Sequence, residues 1–292
     1  MRCAHHLNAS LLLGLVQILF LLFYSLMQQN YHHSITFGLL ILQIHKLFYK
    51  IFRFLINQSI NHLQLSLQKW SFGHFPFTLQ LPTMRNYLVK TPRLLKAVYN
   101  SCIWHVNNNA NSVYLTFDDG PHPTITPFVL DVLNKYNAKA TFFCIGKNVI
   151  ENPEIYQRII NEGHAIGNHT HNHCNGWKVD SLEYIDNITQ AANYIQSNLF
   201  RPPYGRITAS EIKGIYKKNP DMKIVMWDVL TGDFDINLTP EKCLKHAVNS
   251  TKPGSIIVFH DSEKAFKRLE YSLPRFLKHC QENGWQLKKL NY

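Results

Sequence analysis

The sequence predicts an α/β fold in which parallel strands, covered by helices, close or partly close into a barrel. Three observations carry this. From Val113 onward, short apolar runs alternate with stretches of helical periodicity, seven repeats in all. The residues with chemical potential fall at or just beyond the C-terminal ends of the strand candidates, which is the active face of a β/α barrel. Residues 1–83 differ from the rest in composition, so the repeats define the folded domain.

The strand candidates are 113–117, 140–144, 164–167, 199–201, 223–228, 255–259 and 285–289. Helices fit between them. The first, 124–137, begins after Pro123. The second, 153–161, opens on Pro153 and stops before Gly163. A third, 181–198, opens with Ser181 and repeats Ile185, Ile188, Ala192 and Ile195 at intervals of three or four. The helix 240–249 takes Thr239 as N-cap, and 273–283 precedes Gly284, a fitting C-cap.

The chain has 292 residues and a net charge of +11. The charge is unevenly placed. Residues 1–117 carry 9 Lys/Arg and no acid, whereas 118–292 carry 21 against 19. The basic balance therefore belongs to the N-terminal part and gives no argument for nucleic-acid binding. The six cysteines are scattered with no C-x-x-C pair, which excludes a zinc ribbon and a thioredoxin-type motif. Cys174 follows His173 and reads as a bystander thiol.

Five segments carry the chemistry. In Thr116-Phe117-Asp118-Asp119-Gly120-Pro121, adjacent carboxylates end an apolar strand, so their side chains point different ways. One can bind a metal while the other accepts a proton; a solvated turn is the plainer reading of such a pair. Gly167-Asn168-His169-Thr170-His171-Asn172-His173 places His169 and His173 four apart, on one face if that stretch is helical. Neutral imidazoles plus one carboxylate suit a zinc-like ion and leave positions open; a His-rich polar loop is the alternative. Arg201-Pro202-Pro203-Tyr204-Gly205 is a stiff loop able to turn a backbone N–H into a cleft. The fourth segment runs from Trp227-Asp228 through Asp233-Phe234-Asp235, and the fifth is Ile256-Ile257-Val258-Phe259-His260-Asp261.

Together, from about Val113 to the C-terminus, these segments resemble the polysaccharide deacetylases, the NodB-homology enzymes of carbohydrate esterase family 4. The resemblance implies a distorted (β/α)7 barrel over 113–292, with 84–112 as a lead-in. By motif position it implies Asp119, His169 and His173 as ligands of a divalent metal, zinc in the first place, with cobalt, nickel or manganese as substitutes. It implies Asp118 as the base, paired with Arg201, and His260 as the acid, paired with Asp233. The Tyr204 backbone N–H would complete an oxyanion site, and Tyr204, Phe234 and Trp227 would contact sugar, Trp227 being more core than contact. The implied substrates are N-acetylated glycans of peptidoglycan or chitin type. Two motifs depart from the family pattern. Leu230 and Phe234 stand where Asp and Trp are usual, and Val258 stands where Leu is usual. Phe234 and Val258 are expected to alter the wall of an acetyl pocket rather than the chemistry. Competing readings are a non-catalytic carbohydrate-binding module, a hydrolase using His169 and His171 as an H-x-H pair, and a scaffold attached to a membrane segment.

Residues 11–27 have the length and apolarity of a signal anchor, and 36–56, interrupted by Lys46, Lys50 and Arg53, suit an interfacial helix. That reading expects membrane or cell-envelope association. The competing reading starts the protein at Met84, leaving 209 residues and a cytoplasmic location.

Overall fold

The computed structural model describes residues 87–107 and 111–292, which belong to one compact unit. The anchor and interfacial readings of 11–27 and 36–56, and the alternative start at Met84, lie outside the described residues. Among the described residues no helix is long and apolar enough to cross a membrane.

The strands are β1 (Ser112–Asp118), β2 (Thr141–Cys144), β3 (Ala165–Asn168), β4 (Leu199–Phe200), β5 (Lys223–Ile224), β6 (Val229–Leu230), β7 (Ile256–His260) and β8 (Gln286–Lys288). They lie in the order β5-β4-β3-β2-β1-β7-β6, with β8 paired to the start of β1. Every strand pair is parallel, and the sheet curls into a half-barrel. Strand β1 is buried along its whole length, as a central parallel strand covered on both faces must be.

Side chains alternate across this sheet. Val113, Leu115 and Phe117 of β1, with Phe142, Ile257 and Phe259, face outward into the main core. The helices α2 (Ile125–Lys135), α4 (Pro153–Asn161), α7 (Pro240–Ser250) and α8 (Glu263–Glu282) cover that face, following α1 (Arg93–Val98) and α3 (Gly146–Glu151) in chain order. The opposite face fills the barrel with Tyr114, Phe143, Leu199, Val225, Ile256 and Leu290. A third cluster joins α5 (Ser181–Ala192) and α6 (Ala209–Lys218) to Cys102 and Trp104 of the lead-in. The alternation on β1 leaves Thr116 and Asp118 on the inner face, above Tyr114.

Several expected elements are redrawn. The expected strand 223–228 shortens to Lys223–Ile224, and β6 forms just beyond it, because the backbone between the two bonds elsewhere. Ile103 takes the place of a neighbour, with Ile103 N donating to Ile224 O and Met226 N donating to Ile103 O. The carbonyls of Val225 and Met226 accept from the Arg201 guanidinium. The helix 181–198 ends at Ala192, and its cap is Asp180, whose Oδ1 accepts from Leu182 N and Glu183 N. The helix 273–283 starts ten residues earlier, at Glu263, and runs through Pro274. Its buried stripe of Ala265, Leu269, Leu273, Phe276, Leu277 and Cys280 outweighs the hydrogen bond a proline removes. The Thr239 cap is present, accepting from Lys242 N, and Gly284 after α8 has φ +66°.

The lead-in forms part of the half-barrel. Leu230 N donates to Val89 O, Thr91 N to Asp228 O, and Val106 N to Gly254 O, so the lead-in lies along the open edge between β5 and β6.

Candidate active site

The site is built where five strand ends meet. Asp118 is the last residue of β1, and its register partner on β7 is His260, so the two sit side by side on the inner face. Val258 and Thr116 are partners one layer beneath. Asp119 leaves the strand with φ 85°, which separates its carboxylate from that of Asp118.

Asp118 rests on a buried arginine. Arg201 Nη1 donates to Asp118 Oδ1 at 2.7 Å and to Thr116 Oγ1 at 2.6 Å. Its Nε and Nη2 donate to Val225 O and Met226 O, and the guanidinium lies 4.1 Å over the Phe143 ring. Arg201 is wholly buried, so these partners replace the water a guanidinium would hold. They also leave it no freedom to leave Asp118.

Ligand-type atoms of Asp119, His169 and His173 all lie within 4.8 Å of one another. His169 Nδ1 is 2.7 Å from the Arg201 carbonyl, which can only accept, so Nδ1 carries the proton and Nε2 faces Asp119 with a free lone pair. Burial pushes the His169 ring down to about 4, more than nearby Asp118 restores, and keeps it neutral. His173 Nε2 is 3.2 Å from Asp119 Oδ1, while its Nδ1 meets Tyr204 Oη at 3.1 Å. Burial alone would raise the Asp119 carboxyl. The contact with His173 and the positive charge on His260 hold it well below the usual range. Asp119 Oδ1 is nevertheless buried without an aligned hydrogen-bond partner. An orphaned carboxylate oxygen facing two imidazoles, that of His169 with its tautomer fixed, fits a divalent cation.

The two histidines do not share a helical face. Residues 169–173 are a loop in which Thr170 and His173 have φ of 65° and 56°. Side-chain acceptors compete with the helix. Asn168 Oδ1 takes Thr170 N, Asn187 Oδ1 takes His171 N and Asn172 N, and Thr170 Oγ1 takes Cys174 N. Thr170 thus holds the loop's shape. His171 turns away and packs near Tyr194, so the cluster uses His169 with His173 and not an H-x-H pair. Cys174 stays outside it as a free thiol.

His260 is held by Asp233. Its Nδ1 donates to Asp233 Oδ1 at 2.8 Å and its backbone N to Oδ2 at 2.7 Å. Burial would lower the imidazole, but Asp233, aided by Asp119 and Asp118, pushes it up to about 10. Arg268 Nε in turn donates to the Asp233 carbonyl. Phe234 packs edge-on to His260, with centroids 5.2 Å apart, and to Tyr87 of the lead-in. Tyr204 is exposed at the rim with φ 61°. Trp227 packs against the inner cluster, and a Cβ on Gly205 would lie 2.5 Å from its ring. Trp227 is a wall, as its core character suggests. Leu230 and Val258 are buried.

One residue had no role in the sequence reading. Asp261 is buried behind the β1 turn, where Gly120 N donates to its Oδ1 at 3.0 Å and Thr126 Oγ1 to its Oδ2. A Cβ on Gly120 would overlap this carboxylate, so only glycine fits. Burial pushes Asp261 up to about 7, against the hydrogen bond from Thr126. Its position beside His260 was the available signal.

A half-barrel of parallel strands with an Asp-His-His cluster between an arginine-held carboxylate and an aspartate-held imidazole defines a class. The chain belongs to the polysaccharide deacetylase family, which matches residues 105–219. It is 34% identical over 189 residues to a peptidoglycan-N-acetylglucosamine deacetylase of Bacillus cereus, covering 63% of this chain and 88% of that protein. It is 34% identical over 163 residues to a chitooligosaccharide deacetylase of Azorhizobium caulinodans, covering 53% and 76%. The crystal structure of a peptidoglycan N-acetylglucosamine deacetylase in complex with 4-naphthalen-1-yl-N-oxidanyl-benzamide matches with a TM-score of 0.62 at 31% identity, covering 67% of this chain and 94% of that one.

Proposed function

We propose that this protein is a metal-dependent hydrolase that removes N-acetyl groups from amino-sugar glycans of peptidoglycan or chitin type. The observation that supports this best is the register pairing of Asp118 with His260 beside the Asp119–His169–His173 cluster. Amide hydrolysis needs a proton acceptor for water and a proton donor for the departing amine, on either side of one electrophile.

The cluster would hold zinc by its donor set, with cobalt, nickel or manganese as substitutes, and the ion would polarise the amide carbonyl and acidify water. Asp118 takes the proton of the attacking water, and Arg201 holds it in place. His260, charged through its contact with Asp233, carries the proton on Nε2 and delivers it to the amine nitrogen. The backbone N–H of Tyr204 donates to the developing oxyanion. Tyr204 and Phe234 border the sugar, and Trp227 backs the Arg201 loop. With residues 1–83 as an anchor the enzyme would work at the cell envelope; with a start at Met84 it would be cytoplasmic. The intact mass of the native protein distinguishes these.

The test is acetate release from N-acetylglucosamine oligomers by the full-length protein, with and without chelator, beside Asp118→Asn. We expect chelator-sensitive release, with the variant retaining stoichiometric metal and losing about 10²–10⁴-fold in rate. A fully active Asp118→Asn would remove the base assignment. No release by folded, metal-loaded protein would point to another acetylated substrate or to a binding role.

A further inference from the structure

Beyond the reacting centre, a strip of exposed side chains leads away from Tyr204. Trp177 is 62% exposed and Tyr204 58%, unusual for the two largest aromatic types. Between them lies the Arg206 guanidinium, 5.3 Å from the Trp177 ring and 5.8 Å from the Tyr204 ring. No carboxylate of the described residues pairs with Arg206. The strip is continuous with the metal-type cluster, because Tyr204 Oη meets His173 Nδ1 and the two rings are 4.6 Å apart.

The strip is also rigid. Trp177 Nε1 donates inward to Ile207 O at 3.4 Å, so the indole's polar atom is turned away from solvent. Its backbone N donates to Asn175 Oδ1. Gly176 sits so close to the 206–211 segment that a Cβ would lie 2.7 Å from both Arg206 O and Glu211 Oε2. Glu211 is itself fixed by the capping box with Thr208. The turn that carries Trp177 is therefore locked to the loop that carries Tyr204 and Arg206. Such a preorganised aromatic surface binds without the entropy of ordering loops.

We propose that Trp177, Arg206 and Tyr204 form a subsite for a neighbouring pyranose of the glycan chain, which makes oligomers the preferred substrate. The axial C–H face of a pyranose is apolar and weakly positive, and it complements the negative face of an indole. The Arg206 fork supplies donors to the ring hydroxyls at the edge of that face. This inference rests on the deacetylase reading for its placement of the reacting sugar, but its test does not require turnover.

The full-length Asp118→Asn protein, with and without Trp177→Ala, is titrated calorimetrically with the tetramer of N-acetylglucosamine and with the monomer, which fills the reacting position alone. The expected result is tetramer binding weakened about tenfold or more by Trp177→Ala, with monomer binding changed less than twofold. In the active background the same substitution should raise KM for the tetramer and leave kcat within about twofold. Equal weakening for both lengths, no weakening, or no tetramer binding by the parent would overturn the subsite. Tetramer binding that depends on Trp177 without any acetate release would sustain it while removing the deacetylase reading.

Discussion

At the scale of single residues, the site works by pairing each ionisable side chain with a partner that fixes its proton. His260 shows the sign clearly. Its folded value, near 10, lies above the ordinary 6.5, so the charged form persists through neutral pH and is lost only as pH rises towards 10. As proton donor it should therefore keep the alkaline limb of kcat/KM well above neutrality, below 10 once a cation offsets the Asp119 charge. Asp233→Asn removes the largest raising contact, and the limb should move down towards 6.5, measured as a pH–rate profile. An unmoved limb would mean that another group supplies the proton. The resemblance to the deacetylase family made His260 and Asp233 visible as candidates. The sequence could not assign the His169 tautomer, which depends on the Arg201 carbonyl lying opposite Nδ1.

At the scale of elements, strand ends position the chemistry and side chains from adjacent elements brace the turns. The β1 turn bearing Asp119 is clamped by Asp261 at the end of β7, through Gly120 N and Thr126 Oγ1 of α2. Asp261→Ala would leave a buried N–H and hydroxyl unsatisfied, a cost of about 1–3 kcal/mol for such groups. It should also loosen the turn, with a fall of about 10–100-fold in metal affinity measured by competition with a chelator. Stability lost with metal affinity intact would limit Asp261 to a structural role. The 169–173 loop follows the same pattern, since Asn168, Thr170 and Asn187 supply bonds that a helix would have made internally. The sequence reading allowed this stretch to be helical, because the competing acceptor Asn187 comes from α5, distant in sequence.

At the scale of the whole molecule, the half-barrel has an open edge that the lead-in covers. Asp228 is the pin. Its carboxylate accepts from Lys90 Nζ, Lys96 Nζ and Ser255 Oγ, joining the lead-in to the start of β7. Burial would raise this acid, but the two lysines and the serine lower it below 3.8. A depressed carboxylate contributes stability that is present above 3.8 and lost as pH falls through its folded value. The clasp should hold at neutral pH and open in acid. Asp228→Asn should lower stability by about 1–3 kcal/mol, less where water screens the half-exposed Lys90. It should also speed amide exchange across 87–107, read by hydrogen exchange. Unchanged exchange there would mean that backbone bonds alone hold the lead-in.

The sequence by itself determined the α/β class, the order of the strands along the chain and the residues at their C-terminal ends, because apolar periodicity and motif spacing are local properties. The tertiary structure decided what those signals omit. Strand 223–228 shortens to Lys223–Ile224 because Ile103 and Arg201, both remote in sequence, take the hydrogen bonds of the backbone around and beyond it. The helix α8 continues through Pro274 because its buried stripe needs the length. Asp261 acquires a role because β7 ends against the β1 turn. In each case a contact between segments far apart in the chain overrides a local preference, and that competition is settled only when the sheet closes.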